Sequence, residues 1–475
     1  MLTWVGLAIL VAQCSGPWCG PDTAYERPGA ALPGDAAQPS AALTESGALL
    51  VAWEFRGDAG ESDILVNRRE PGAGGAWGEL PARVDGDDWG AARSLEPRIV
   101  ALPDERALVL WQDARDGADQ LWLARSTDDG RTWGDARRLR TDKRALTTES
   151  LPDLAVDAAG NVFVVWEDLR AGRARDLYFR RSTDGGVTFE AEHRLDTDPA
   201  GHGVSYHPLL ATAAGGVVLV TWWDERDGDA DVYVRRSTDA GATWVEPEVR
   251  LDPGAPGEVV SRDVRVQAHG TQVTVVWEEA RTNTGAQIVG RTSTDAGATW
   301  GELIHYGDGQ DPVVMTRGDA PACVAWAWRE PRPSGERTAI GGRVVDIPLP
   351  VPMGLSTGRP AGAGQFRVER KQGLDAHDSL WMGRMEQGVF AVRAGAMDGR
   401  GALDAHFVPA LPAAAADDHW SPVARLQFGE NWLNTAADVR AMSLTGAAAP
   451  DGAVHLVWIA SFEHSQELGH VRLER

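Results

Sequence analysis

Four stretches of the chain place a tryptophan, a carboxylate and a guanidinium at one fixed spacing. They are Trp111…Asp113…Arg115, Trp166…Asp168…Arg170, Trp222…Asp224…Arg226 and Trp277…Glu279…Arg281. Such groups can do two kinds of work. Ringed around a channel, they grip a sugar or an anion through charge-assisted bonds. Turned on one another, they form an ion pair that locks a loop. Fourfold repetition favours the second reading, because an active site normally draws unlike residues from different places. His202 and His207 flank Tyr206 without any repetition. Their spacing fits no zinc signature, so they read as polar loop residues. The chain carries no serine nucleophile elbow, phosphate-binding loop or CxxC pair, and no cofactor or metal is expected.

The elements that position these groups are strands. Each tryptophan closes an apolar run: Ala107–Trp111, Val162–Trp166, Val217–Trp222 and Val273–Trp277. Near-continuous apolarity predicts strands buried on both faces. A second set rich in β-formers follows: Leu121–Arg125, Leu177–Arg181, Val232–Arg236 and Ile288–Thr292. Four octapeptides come next, beginning at Ser126, Ser182, Ser237 and Ser293, so 56, 55 and 56 residues apart. Their shared residues are Ser126, Asp128, Gly130, Thr132 and Trp133; Ser182, Asp184, Gly186, Thr188 and Phe189; Ser237, Asp239, Gly241, Thr243 and Trp244; Ser293, Asp295, Gly297, Thr299 and Trp300. Ser and Asp side chains hold tight bends, and Gly supplies positive φ. The terminal aromatic is expected to be buried and to pin the turn. Trp77 ends a decayed fifth copy. Turn residues such as Asp157–Gly160 and a short inner strand such as Asp153–Val156 complete four strands per repeat.

This octapeptide is the Asp box, and the chain resembles the sialidase (neuraminidase)-like superfamily of Asp-box, or BNR-repeat, β-propellers. The resemblance implies an all-β propeller of four-stranded antiparallel blades. Blades one to six start near residues 38, 97, 152, 207, 262 and 311. The segment 346–375 is Pro/Gly-rich, and Val389–Val392 with Leu403–Val408 suggests a seventh blade. The turn 450–452 and the strands Val454–Trp458 and Leu468–Leu473 suggest an eighth. About eight blades are expected, with six or seven open.

The expected organisation is a signal peptide over 1–14, a tether over 15–37, blades one to six over 38–347, and a linker with divergent closing blades over 348–475. Leu2–Ala12 is apolar and too short for a stable membrane anchor. Cys14 after it resembles a bacterial lipobox, although Gln13 departs from the pattern and no Lys or Arg precedes the run. Export is therefore expected, to the extracellular space or a bacterial envelope, with lipidation at Cys14 as the one membrane attachment. Cys14 and Cys19 pairing is an alternative. Cys323, in an apolar run, reads as a buried thiol. Lys and Arg number 46 against 69 Asp and Glu, a net charge of −23, which repels phosphate backbones and excludes nucleic acid as a partner.

The resemblance also implies a catalytic set: three arginines for a substrate carboxylate, a Tyr nucleophile with a Glu, and an Asp acid. Arg98 in Pro97-Arg98-Ile99 keeps part of the first-arginine motif. Arg262 or Arg265 offers a second by position. Tyr206 and Tyr306, expected in loops between blades, are the tyrosine candidates; Tyr178 and Tyr233 read as structural. Asp113, Asp116 and Asp119 are equal candidates for the acid. The leading expectation is an exported propeller that binds glycan or protein on its channel face. An exo-sialidase, a glycoside hydrolase of terminal sialic acids, is the alternative, and a structural envelope protein a third.

Overall fold

The computed structural model describes residues 35–314, except 58–60, 73, 141–147, 173 and 282–284, and beyond them the strands named below. Side chains are described for most of 35–314 and for a few residues of 455–473. Among the described residues there is no helix.

The strands form eight antiparallel sheets in chain order, each built A-B-C-D from the inside out. Blade one comprises Asp35–Leu43, Leu49–Arg56, Ser62–Arg69 and Ala82–Arg83. The inner strands of blades two to six are Ser94–Leu102, Glu149–Val156, Ser205–Ala213, Ser261–His269 and Gln310–Arg317. Each inner strand touches the next, and that of blade eight, Leu444–Ala448, touches that of blade one. The ring therefore closes at eight blades. Val457 of blade eight lies in one apolar cluster with Leu49, Val51 and Trp53 of blade one.

Two features complete the closing blades. Gln365–Val368, inside the Pro/Gly-rich stretch, is the outer strand of blade six. Tyr25–Glu26 pairs with His470 and Val471 as the outer strand of blade eight, and Ala12–Ser15 adds a fifth strand to blade seven by pairing with Arg425–Phe428. Cys14 faces Leu426 in that pairing. Cys19 and the turn 450–452 lie outside the described residues, as does the side chain of Cys323.

Tryptophan placement differs from expectation. The fully buried ones are Trp111, Trp166, Trp222 and Trp277, at the ends of the B strands. The box aromatics Trp133, Phe189, Trp244 and Trp300 are only half-buried. The reason is geometric: the B-strand residue lies between two blades, whereas the box aromatic lies on a turn with solvent on one side.

The box turns hold together as their residues dictate. Gly130, Gly186, Gly241 and Gly297 donate their N–H to the hydroxyls of Ser126, Ser182, Ser237 and Ser293 at 2.8–2.9 Å. These glycines have φ of +77° to +82°. A Cβ on each would lie 2.4–2.6 Å from Leu50, Leu108, Phe179 or Leu219 of the preceding blade. Glycine is needed there for both conformation and space.

Arginines then bolt the blades together. The residue before each box serine position on the preceding blade reaches forward. Arg68, Arg125 and Arg236 donate to the carbonyls of Asp129, Gly185 and Ala296, and Arg181 to those of Asp239 and Ala240. One position earlier, Arg180, Arg235 and Arg291 reach backward to the carbonyls of Leu139, Leu195 and Leu251. A charged donor on a buried carbonyl contributes about 1.5–3 kcal/mol. Blade five has Thr292 at the forward position, and the blade it faces has no box.

Candidate functional site

The B strands end, and the A strands begin, on the face opposite the boxes. The repeated Trp-x-Asp-x-Arg groups lie there, and their charges are consumed locally. Asp113, Asp168 and Asp224 are wholly buried. Asp113 accepts from Trp111 Nε1 at 3.0 Å, Ser94 Oγ at 3.0 Å, and the amide and Nε of Arg115 at 2.9 and 2.8 Å. Asp224 repeats the set with Trp222, Ser205 and Arg226, and Asp168 with Trp166 and Arg170. Each guanidinium lies over an aromatic ring of strand C: Arg115 over Trp122 at 4.0 Å, Arg170 over Tyr178 at 3.7 Å, Arg226 over Tyr233 at 4.5 Å. Arg170 and Arg226 also pair with Glu192 and Glu248. Glu279 is buried in the fourth copy, and the side chain of Arg281 lies outside the described residues. These groups build loops.

Outside that ring lies a second layer of charge. Arg83 meets Asp63, Asp85 and Asp87; Arg194 meets Asp176, Asp196 and Asp198; Arg250 meets Asp231 and Asp252. Asp85, Asp196 and Asp252 each accept an amide near the start of their C strand, from Ile64, Leu177 and Val232. In blade two Arg140 takes the aspartate's place, and Glu149 supplies the missing carboxylate to Leu121 N. Burial pushes Asp85 up to about 7 and raises Asp196 and Asp252 as well.

The inner ring of this face is where the blades differ. Every inner strand of blades one to six carries a bulge, between residues 37/40, 95/98, 150/153, 206/209, 262/265 and 310/313. In five of the six a proline follows the bulged residue: Pro39, Pro97, Pro152, Pro208 and Pro312. The bulged residues Gln38, Glu96, Leu151, His207 and Asp263 have φ of +46° to +52°. Bulges re-aim side chains at strand ends. The cross-strand pair just before the bulge is Ala37–Glu54, Leu95–Gln112, Ser150–Glu167, Tyr206–Trp223 and Arg262–Glu278 in blades one to five. The five pairs all differ, although the B-strand member is glutamate in blades one, three and five, and the position lies one residue from a carboxylate that is repeated in four blades.

Its centre is in blades three and four. Tyr206 lies on Trp223, ring centroids 4.1 Å apart and 25° from parallel, with both rings half-buried. His207 is exposed and stacks against the same indole at 6.1 Å. Glu167 is wholly buried; it accepts from His207 N at 2.7 Å and Arg175 Nη1 at 2.9 Å. Burial outweighs those bonds and pushes its carboxyl up to about 7. Arg175 lies 5.7 Å from the Tyr206 ring. Burial also raises the Tyr206 phenol, with Glu225 adding to the effect.

The other sequence candidates scatter. Arg98, half-buried two residues after the blade-two bulge, makes no ion pair among the described residues. Arg265 holds the same register in blade five and is likewise without an ion pair among the described residues. The half-buried Asp153 holds it in blade three and accepts from Leu210 N at 2.7 Å; burial raises Asp153, and Arg98 opposes the rise. Arg262 pairs with the buried Glu278 at 3.1 Å. Asp119 pairs with Arg93, and Asp116 lies 3.7 Å from Arg138. Two placements correct the sequence reading. Tyr206 is on an inner strand rather than a loop. Tyr306 is on the outer strand of blade five, 3% exposed and packed with Val276, Ile288 and Val314, so it faces away from the channel. His202 is an exposed loop residue. Sequence reading missed Glu167 and Trp223, whose signal was the variable residue inside Trp-x-Asp.

No family model matches the chain, and no curated protein matches it. Solved structures do. A protein of unknown function from Dyadobacter fermentans is 14% identical over 71% of this chain and 99% of its own, with a TM-score of 0.43. A Hadza microbial sialidase is 18% identical over 62% and 63%, with a TM-score of 0.42. A polysaccharide lyase described as an ulvan lyase is 12% identical over 93% and 94%, with a TM-score of 0.49.

Proposed function

We propose that this chain is an exported β-propeller that binds a carboxylate-bearing glycan at the inner ring, on the Tyr206–Trp223 platform. The observation that carries the reading is that pair of stacked rings, at a register position whose residue pair changes from blade to blade. An indole with an adjoining phenol offers a sugar a flat apolar face with polar groups around it, the composition of small-ligand sites. Arg175 beside the platform, and Arg98 and Arg265, which make no ion pair among the described residues, are suited to a sugar carboxylate. A binding role is preferred to catalysis because Tyr206 is held flat and its phenol is raised. A nucleophile needs the opposite shift. The test is titration of wild type and Trp223→Ala with oligogalacturonides and sialosides. Binding by wild type that weakens at least ten-fold in Trp223→Ala supports the reading. Equal binding by both, or none, refutes it.

A second reading, a sialidase-type hydrolase, draws on Glu167. A carboxyl held near pKa 7 beside a tyrosine has the protonation of a general acid at neutral pH. Turnover of a fluorogenic sialoside, lost in Glu167→Gln and Arg98→Ala, would replace binding by hydrolysis.

A further inference from the structure

Blade one departs from the repeat at its mouth end. Where blades two to four have Trp-x-Asp, it has Trp53-Glu54-Phe55, so an aromatic stands in the place of the loop-building aspartate. That change is matched by a second one. The loop from blade one to blade two presents Trp89, 59% exposed, the most exposed tryptophan among the described residues. Trp89 does not dangle. It packs edge-on against Phe55, centroids 5.9 Å apart at 82°, and Arg83 lies 5.0 Å over its ring. Gly90 N anchors the loop on Asp63 at 3.3 Å, and Arg83 holds the carbonyl of Asp87. An indole of this area left in water and braced on both sides loses solvation benefit unless something covers it.

The surroundings say what kind of cover fits. Glu61 lies against Gly90 and Asp87 pairs with Arg83, so polar groups flank the ring, whereas the exposed apolar residues Val187 and Val245 belong to the box turns and Val249 to an outer strand. A single aromatic plane among polar groups fits a sugar ring better than an apolar protein surface. We infer that Trp89 and Phe55 form a second glycan subsite on the same face as Tyr206–Trp223, so that the ligand is an extended oligosaccharide lying across the mouth from blade four to blade one. The inference rests on the proposed glycan reading of the Tyr206–Trp223 platform, and it excludes a ligand of one terminal sugar.

The experiment uses the full chain, with α-1,4-linked oligogalacturonides of one to eight units as probes, methyl-esterified on every unit but the terminal one so that the units reaching Trp89 carry no charge. Wild type, Trp89→Ala, Trp89→Phe and Trp223→Ala are titrated by calorimetry, and Trp89 oxidation is followed by hydroxyl-radical footprinting. In wild type, affinity should climb with chain length, and the longest oligomer but not the monomer should protect Trp89. Trp89→Ala should lose about ten-fold on the longest oligomer and nothing on the shortest, with an unchanged melting temperature; Trp89→Phe should recover most of the loss. Trp223→Ala should weaken every length. If Trp89→Ala binds the eight-unit chain as wild type does while Trp223→Ala fails, the second subsite is refuted and the first reading stands. If Trp223→Ala binds all lengths normally, the first reading fails and this inference with it.

Discussion

The two ends of a blade treat the same side chain in opposite ways. At the box end, Asp239 is exposed and takes hydrogen bonds from the Thr243 hydroxyl, the Thr243 amide and the Ser237 hydroxyl; they hold it at about 2. At the mouth end, burial lifts Asp85 and Glu167 to about 7 against the bonds they accept. Donors aimed at a solvated carboxylate stabilise its charge, whereas loss of water removes that stabilisation. The ends also differ in variety. The box end is the same in four blades, and the inner mouth changes at every blade. Repetition marks what every blade needs in order to pack on the next. Divergence marks what a blade contributes alone.

Neighbouring tryptophans put the comparison to its hardest test. Trp222 is repeated and fully buried; Trp223 is unique and half-buried. Trp222→Ala should cost about 3–5 kcal/mol by chemical denaturation, through the cavity between blades and the lost partner of Asp224. Trp223→Ala should leave most of that stability and remove ligand binding. Equal losses of stability would erase the distinction between framework and site.

Next in size is the box glycine. Gly241→Ala forces a Cβ to 2.6 Å from Phe179 at φ +79° and should cost about 1–3 kcal/mol. Gly215→Ala keeps a positive φ, +76°, but meets nothing within 4 Å, so it isolates the conformational part. If the two cost the same, docking on the preceding blade contributes nothing.

The pH dependence has a definite sign. Asp85 and Glu167 bind protons in the folded state at a pH where the unfolded chain has released them. Their protonated form is stabilising below about pH 4, and that contribution is lost as pH rises to about 7. Asp196 and Asp252, also raised, act in the same direction. Melting temperature should therefore fall between pH 5 and 8, by a free energy on the order of 1–3 kcal/mol. Asp85→Asn, which keeps an acceptor for Ile64 N, should flatten part of the slope. A rise over that range would mean that the mouth carboxylates are held ionised.

Much of this was legible in the residues. The 55–56-residue period, the octapeptide and the apolar runs ending in tryptophan yield the propeller and its eight blades. Paired arginines stand before two of the boxes, as Arg180-Arg181 and Arg235-Arg236, but only the packed ring shows one reaching back and the other forward. The inner mouth was harder to read. A search for likeness selects what repeats, so Asp113, Asp168 and Asp224 stood out, whereas Glu167 and Trp223 lie at the positions that such a search averages away. Tyr306 was misplaced because blade five's outer strand is longer than the two-residue outer strands of blades one to four. The box aromatics were expected to be buried because they are large and apolar, and a turn covers only one face of them.

The smallest effect is the most direct measure of the box end. Asp239→Asn keeps one oxygen for the Thr243 amide or the Ser237 hydroxyl and loses the charge that strengthens all three bonds. The expected cost at pH 7 is about 1 kcal/mol, modest because the group is solvated. Its pH course distinguishes it from a change in turn shape. A carboxylate lowered from 3.8 to about 2 contributes stability that is complete above pH 4 and is lost as pH falls towards 2. The gap between wild type and Asp239→Asn should therefore be constant from pH 5 to 8, where the mouth carboxylates titrate, and should close at pH 2–3. A gap that varied between pH 5 and 8 would couple the two ends of the blade, and the separation of framework from site would have to be abandoned.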